Sequence, residues 1–182
     1  PSVRDLGVQV DRSLHFQEHV QAQVTKANHI LGMLRRSFDH LDNDNLIWLY
    51  KSLVRPHLEY GHHIFHPIFK REWKLIESVQ RRAPKFLPGF KDINYEVRLE
   101  RLKLPSMFYR LKRGEMIEVF KYLHGYYNIC PSSLTLEDAH RTRGNVLKLK
   151  KVRCTGLVCQ SFFSHCVFDQ WNSLPNEVVD AP

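Results

Sequence analysis

The chain has 182 residues, with 27 Lys+Arg against 19 Asp+Glu for a formal charge of +8, and is 43% hydrophobic and 12% aromatic. That suits one domain, or two small ones sharing a core, and excludes a chain disordered throughout. No run approaches the roughly 18 uncharged apolar residues a membrane span needs, and Pro1-Ser2-Val3-Arg4-Asp5 carries no export signal.

Without an initial Met, the chain reads as a segment of something longer. Cys130, Cys154, Cys159 and Cys166 are too few for a disulfide scaffold and read as reduced thiols.

In chain order the pattern is mainly α. Leu6 to Val10 is a short strand candidate that Gly7 weakens. After Ser13, the residues Phe16, Val20, Val24, Ala27, Leu31 and Leu34 recur at steps of three or four and predict a helix. Asp42 or Asn43 caps a second helix carrying Leu46, Leu49, Tyr50 and Leu53, which Pro56 kinks or ends. A third starts near Lys70, with Trp73, Ile76, Val79, Ala83 and Phe86 on one side and Pro84 in conflict inside it; an interior proline would cost about 3 kcal/mol. Asn94 caps a short helix through Leu102, stopped by Pro105. Ser106 caps the next, which runs to His124 and closes on Gly125. Residues 126 to 145 read as loop, Val146 to Val152 as a weak strand, and Leu157 to Trp171 as a final helix ending before Leu174-Pro175.

The charge is concentrated. Residues 70 to 113 hold 13 basic and 5 acidic residues, while 1 to 69 and 114 to 182 each hold 7 and 7, so the whole excess lies in the middle. A second patch, Arg141, Arg143, Lys148, Lys150, Lys151 and Arg153, meets no acid between Ala139 and Phe168. Such clustering is expected of a phosphate-backbone binder; the alternative is a set of solvated helix faces.

Five strings occur in register: Asp5-Leu6-Gly7-Val8, Val54-Arg55-Pro56-His57-Leu58-Glu59-Tyr60-Gly61, Glu77-Ser78-Val79-Gln80-Arg81-Arg82-Ala83, Arg113-Gly114-Glu115-Met116-Ile117-Glu118-Val119-Phe120-Lys121 and Trp171-Asn172-Ser173-Leu174-Pro175. Their order and spacing resembles the C-terminal part of the reverse transcriptase, an RNA-directed DNA polymerase, of non-LTR (LINE-type, jockey-like) retrotransposons. The resemblance covers nearly the whole chain. Pro84, Phe65, Asn145 and Cys166 depart from the family pattern and suggest a decayed or relocated copy.

The resemblance implies a thumb-like helical domain over 1–125 and a C-terminal extension packed on it over 126–182. It also implies that the catalytic palm, whose carboxylates hold magnesium, lies upstream. Within the chain only Asp42-Asn43-Asp44 approaches a carboxylate pair, and it reads as a helix cap. The segment is therefore expected to be inactive alone and to carry no cofactor. Its expected partners are RNA, DNA or an RNA–DNA hybrid, together with the upstream palm, and no membrane; its expected place is the nucleus and cytoplasm.

A processive enzyme holds such a duplex by shape and phosphates, without reading sequence. The expected contacts are Arg71, Lys74, Arg81, Arg82 and Lys85, then Arg110, Lys112 and Arg113, with Arg141, Arg143, Lys148, Lys150, Lys151 and Arg153 as a secondary patch. The competing reading is a helical scaffold or protein-binding domain derived from such an element, with basic faces that only solubilise it.

Other features read as structural. Arg55 and Glu59, four apart, form an ion pair. Trp171 packs the last helix onto the core, with base stacking as the alternative. Tyr122, Tyr126 and Tyr127 flank Gly125 as an aromatic cluster at a helix end. His57, His62, His63 and His66, and the pair His15 and His19, lack cysteine or carboxylate partners at fixed spacing, so no metal is assigned to them.

Overall fold

A computed structural model of the chain describes residues 2–38, 40–64, 66–67, 69–128, 134–137, 146–160 and 162–181. Among the described residues the fold is mainly helical with one short two-stranded antiparallel sheet. It divides into two compact units: Pro1–His62 with Pro67–Leu111, and His63–His66 with Lys112–Pro182. The division falls between Leu111 and Lys112, whereas the sequence reading places its boundary at the loop over 126–145.

The first unit opens with strands β1 (Ser2–Asp5) and β2 (Val8–Asp11), paired Ser2 to Asp11 through Asp5 to Val8. The turn is Leu6-Gly7, with φ of 44° and 83°. Two successive positive φ values suit a tight hairpin, so the strand expected over Leu6 to Val10 begins only after the turn.

Helix α1 (Gln17–Ser37) buries Val20, Val24, Ala27, Leu31 and Leu34, the stripe its period predicts. Its entry is organised by Asp11, whose carboxylate accepts the amides of Ser13 (2.9 Å), His15 (3.2 Å) and Phe16 (2.6 Å). Burial by itself would raise the Asp11 pKa, but these bonds and one from the Ser13 hydroxyl outweigh it and hold it below the usual range.

Asp42 caps α2 (Asn43–Leu49) by accepting the Asn45 amide at 2.7 Å. The rod then passes through a π-helical turn, Tyr50–Val54, into α3 (Arg55–Glu59). In that turn the Arg55 amide donates to the Tyr50 carbonyl five residues back, a register shift that places Pro56 in the first turn of α3, where a missing amide is tolerated. Pro56 therefore does not end the rod at its own position. The shift also changes which side faces inward: Leu46, Tyr50, Val54 and Leu58 are buried, while Leu53, expected inside, is exposed.

Helix α4 (Lys70–Arg82) buries Ile76 and Val79, and its Glu72 accepts the Phe69 amide at 3.1 Å. The helix ends at Arg82, and Ala83–Phe86 forms a 3-10 turn with Pro84 in its first positions. The expected interior proline and its cost do not arise. Helix α5 (Tyr95–Arg101) is capped by Asn94, and α6 (Met107–Leu123) by Ser106, as the sequence predicts. Gly125 follows α6 at a φ of 71°, a value glycine adopts without strain.

Inside this unit a polar chain crosses the core. The Tyr50 hydroxyl donates to Gln80 Oε1 at 3.0 Å, and Gln80 Nε2 donates to the Pro105 carbonyl at 2.8 Å and to the Tyr95 hydroxyl at 3.3 Å. Gln80 is buried, so each bond avoids the desolvation cost of an unpaired amide.

The second unit has its own core of Val119, Leu134, Leu149, Val167, Phe168, Trp171 and Val179. The expected final helix is two, α7 (Leu157–Gln160) and α8 (Phe163–Asn172), followed by a short α9 (Asn176–Val179). Around 146–152 there is an isolated antiparallel bridge, Leu136 to Leu149, rather than a strand. Trp171 Nε1 donates to the Leu147 carbonyl at 2.9 Å, and Asn172 both accepts from and donates to the Leu149 backbone at 2.9 Å. The Trp-Asn pair thus fixes a chain segment that has little regular structure, and the buried indole is a packing element.

Glu115, also buried, accepts from Lys112 Nζ at 2.9 Å and lies 3.2 Å from His66 Nδ1. The thiols are not all reduced: Cys154 and Cys159 form a disulfide, with Cα atoms 6.1 Å apart. Cys166 stands outside the disulfide, and burial pushes its thiol pKa up to about 11. Cys130 lies outside the described residues.

Candidate nucleic-acid interface

Helix α4 is amphipathic in charge as well as hydrophobicity. At 100° per residue, Lys70, Arg71, Lys74, Arg81 and Arg82 fall within a sector of about 120°, opposite the buried Ile76 and Val79. All five are exposed. Thirteen residues of helix extend for about 20 Å, so the sector forms a line of cations rather than a point.

The three arginines in this line are held by neutral groups. Arg82 Nη1 donates to Asn28 Oδ1 at 3.1 Å, and Arg71 Nη2 to Gln17 Oε1 at 3.3 Å. The Arg81 guanidinium lies 4.3 Å from the Tyr95 ring centroid. Stacking uses the face of the guanidinium and leaves its in-plane N–H donors for an anion. The one carboxylate within ion-pair distance of the line, among the described residues, is Glu72, 3.5 Å from Arg71 Nη2. Lys85 is exposed on the 3-10 turn that continues from α4.

Beside this line, between α1 and α4, lies a groove of about 910 Å3 whose walls include Gln17, Gln21, Thr25, Lys26 and Arg71, with Glu18 and Glu72 also on its lining. Lys26 and the α1 amides carried no sequence signal, because nothing in a linear pattern says which helix will pack beside α4.

The remaining expected residues differ. Arg110 Nε bonds Glu59 Oε1 at 2.9 Å, and Arg55 Nε reaches the same oxygen at 3.1 Å. Arg55 and Glu59 are thus a structural pair with Arg110 as a third member. In the second unit Lys112 is held by Glu115, while Arg113 is exposed. Lys150, Lys151 and Arg153 are exposed and Lys148 half-buried, with Lys151 Nζ 2.7 Å from Asp169. Arg141 and Arg143 lie outside the described residues.

Asp42, the nearest approach to a paired carboxylate site, is spent as a helix cap that also accepts the Asn45 side-chain amide at 3.0 Å. The clustered histidines do not converge as ligands among the described residues: the His62 ring bonds the Glu59 carbonyl, His66 meets Glu115, and His63 packs edge-on against Phe163. His19 is buried, accepts the Gln9 amide at 3.2 Å, and is held below the usual imidazole range chiefly by burial.

No family model matches this chain, and no curated protein or solved structure matches it. Among the described residues no helix is long and apolar enough to cross a membrane.

Proposed function

We propose that the chain is the thumb and C-terminal segment of a non-LTR retrotransposon reverse transcriptase, holding a template–primer duplex by its phosphates without catalysing polymerisation itself. The five sequence strings in register support the ancestry. The observation that carries the role is the line of exposed cations on α4, its arginines braced by Asn28, Gln17 and Tyr95, with Glu72 the one carboxylate within ion-pair distance among the described residues.

Bracing lowers the side-chain entropy lost when a phosphate is bound. Positively charged donors that ignore base edges suit an A-form hybrid, whose major groove is too deep and narrow to read. In this role Arg71, Lys74, Arg81, Arg82 and Lys85 are the principal contacts. Arg113, Lys150 and Arg153 are secondary, and Arg110 and Lys112, already engaged with carboxylates, contribute least.

Titrating the chain with an RNA–DNA hybrid at two salt concentrations tests the reading. The affinity is expected to fall steeply with salt, with a log–log slope of several units from counterion release. Absence of binding at low salt overturns it in favour of a protein-binding scaffold. That second reading has its own support in the exposed Trp48 and Leu53 on the outside of the α2–α3 rod.

A further inference from the structure

Among the described residues, one set of side chains brings metal-ligating atoms together. The donor atoms of Cys154, Cys159 and His165 all lie within 4.8 Å of one another. Cys159 Sγ is 3.5 Å from His165 Nε2. Cys154 precedes α7, Cys159 lies within α7 and His165 sits in the first turn of α8. Two short helices and the chain leading into them therefore converge on one point. The Cys-x4-Cys-x5-His spacing is looser than a Cys-x-x-Cys motif, so it gave no signal before the fold was known.

Two sulfurs and one imidazole nitrogen form a donor set that suits zinc, which takes four ligands in tetrahedral array. Three protein ligands leave one position open. An adjacent cavity of about 610 Å3, lined by Lys151, Arg153, Cys154, His165 and Asp169, gives solvent access to that position.

We propose that the reduced chain binds one zinc ion through Cys154 Sγ, Cys159 Sγ and His165 Nε2, with a water or an anionic oxygen completing the shell from the cavity side. The disulfide between Cys154 and Cys159 is the oxidised, metal-free alternative at the same sulfurs. Conversion is a balanced exchange with a dithiol or phosphine reductant. Two electrons cleave the sulfur–sulfur bond and two protons complete the thiols, while the reductant becomes its disulfide or its oxide. Zinc then displaces both thiol protons to solvent, forming two zinc–sulfur bonds and one zinc–nitrogen bond to neutral imidazole.

With water as the fourth ligand, one divalent cation and two thiolates make a neutral centre, so metal binding adds no charge beside Arg153 and the Lys151–Asp169 pair. It fixes the segment that carries them to the start of α8.

Cobalt(II) serves as the probe, because thiolate ligation gives it a charge-transfer absorption that histidine or carboxylate ligation does not. The phosphine-reduced full chain is expected to take up one cobalt per chain with that absorption, to lose it when zinc is added, and to show none when oxidised. Cys154→Ser and Cys159→Ser should each remove or halve the absorption. His165→Ala should weaken binding by about tenfold or more, the scale on which even outer-shell partners act. Cys166→Ser should change nothing.

The oxidised and reduced forms of the unaltered chain provide a comparison that does not depend on any variant folding. A reduced chain without thiolate-to-cobalt absorption overturns the proposal. So does an absorption that survives Cys154→Ser undiminished but is lost with Cys166→Ser.

Discussion

The Tyr95 hydroxyl donates to the Glu77 carboxylate, and the same carboxylate accepts the first two amides of α6, Met107 at 3.3 Å and Phe108 at 3.2 Å. A side chain of α4 thus serves as a distant cap for α6, where four amides have no intrahelical partner and the helix dipole favours a negative charge. Buried surroundings, and next the Glu77 carboxylate, raise the Tyr95 pKa, so the phenol stays protonated and remains a donor. Glu77→Ala is expected to cost about 1–3 kcal/mol by orphaning these donors. Tyr95→Phe is expected to cost about 1 kcal/mol. Because the two residues share one bond, the double variant should cost less than the sum; urea denaturation of all three variants would show it, and strict additivity would contradict the shared role.

The nucleic-acid reading predicts a division among basic residues that look alike in sequence. Lys74→Ala, Arg81→Ala and Arg82→Ala should each flatten the salt dependence of duplex binding by about 0.9 unit for every phosphate left without its cation. Arg110→Ala should leave the slope nearly unchanged and lower stability instead, since Arg110 is bound to Glu59. Equal flattening by Arg110→Ala would argue against α4 as the main binding line.

Much of the helical plan was legible because it rests on local chemistry. Periodicity marked the buried stripe of α1, and side-chain caps marked the starts at Asp42, Asn94 and Ser106. What was not legible depends on partners distant in sequence or on backbone register. The π turn at Tyr50–Val54 leaves Leu53 exposed and Val54 buried, and the 3-10 turn at Ala83–Phe86 resolved the conflict at Pro84. The candidate site shows the same division. Clustering of cations along α4 could be counted, but the pairing of Arg110 with Glu59, 51 residues apart, could not. The meeting of Cys154, Cys159 and His165 needed the fold as well.

Trp171 and Asn172 should behave as structural residues. Trp171→Ala removes a buried indole and its bond to the Leu147 carbonyl, with an expected cost of about 3–5 kcal/mol. Asn172→Ala orphans the Leu149 amide and carbonyl at about 1–3 kcal/mol. Thermal unfolding followed by near-ultraviolet circular dichroism would report both. A Trp171→Ala protein of unchanged stability but lower affinity for single strands would instead favour base stacking.

Acid should destabilise the chain through two carboxyls. For Asp11 and Glu115 burial alone would raise the pKa; hydrogen bonds to Asp11, and the His66 ring and Lys112 ammonium beside Glu115, prevail and lower it. A folded-state value below the unfolded one means that the folded chain resists protonation. The stabilisation is therefore complete above the ordinary values of 3.8 and 4.5 and is lost as pH falls through the depressed ones. Urea midpoints should drop below about pH 4, and Asp11→Asn and Glu115→Gln should close the gap to the unaltered chain there. A deficit that stayed constant into strong acid would contradict this account.

Leu46, Tyr50, Val54 and Leu58 are all buried at intervals of four along the α2–α3 rod, although successive steps of four in an ordinary α-helix drift by about 40° each. The wider π turn takes up that drift and keeps the seam in phase from end to end. Length between Tyr50 and Val54 is therefore more tightly constrained than side-chain identity. Removing one residue there would rotate everything downstream by about 100°, swinging Leu58 out of the core and carrying Glu59 away from Arg110, which no conservative substitution within the turn would do.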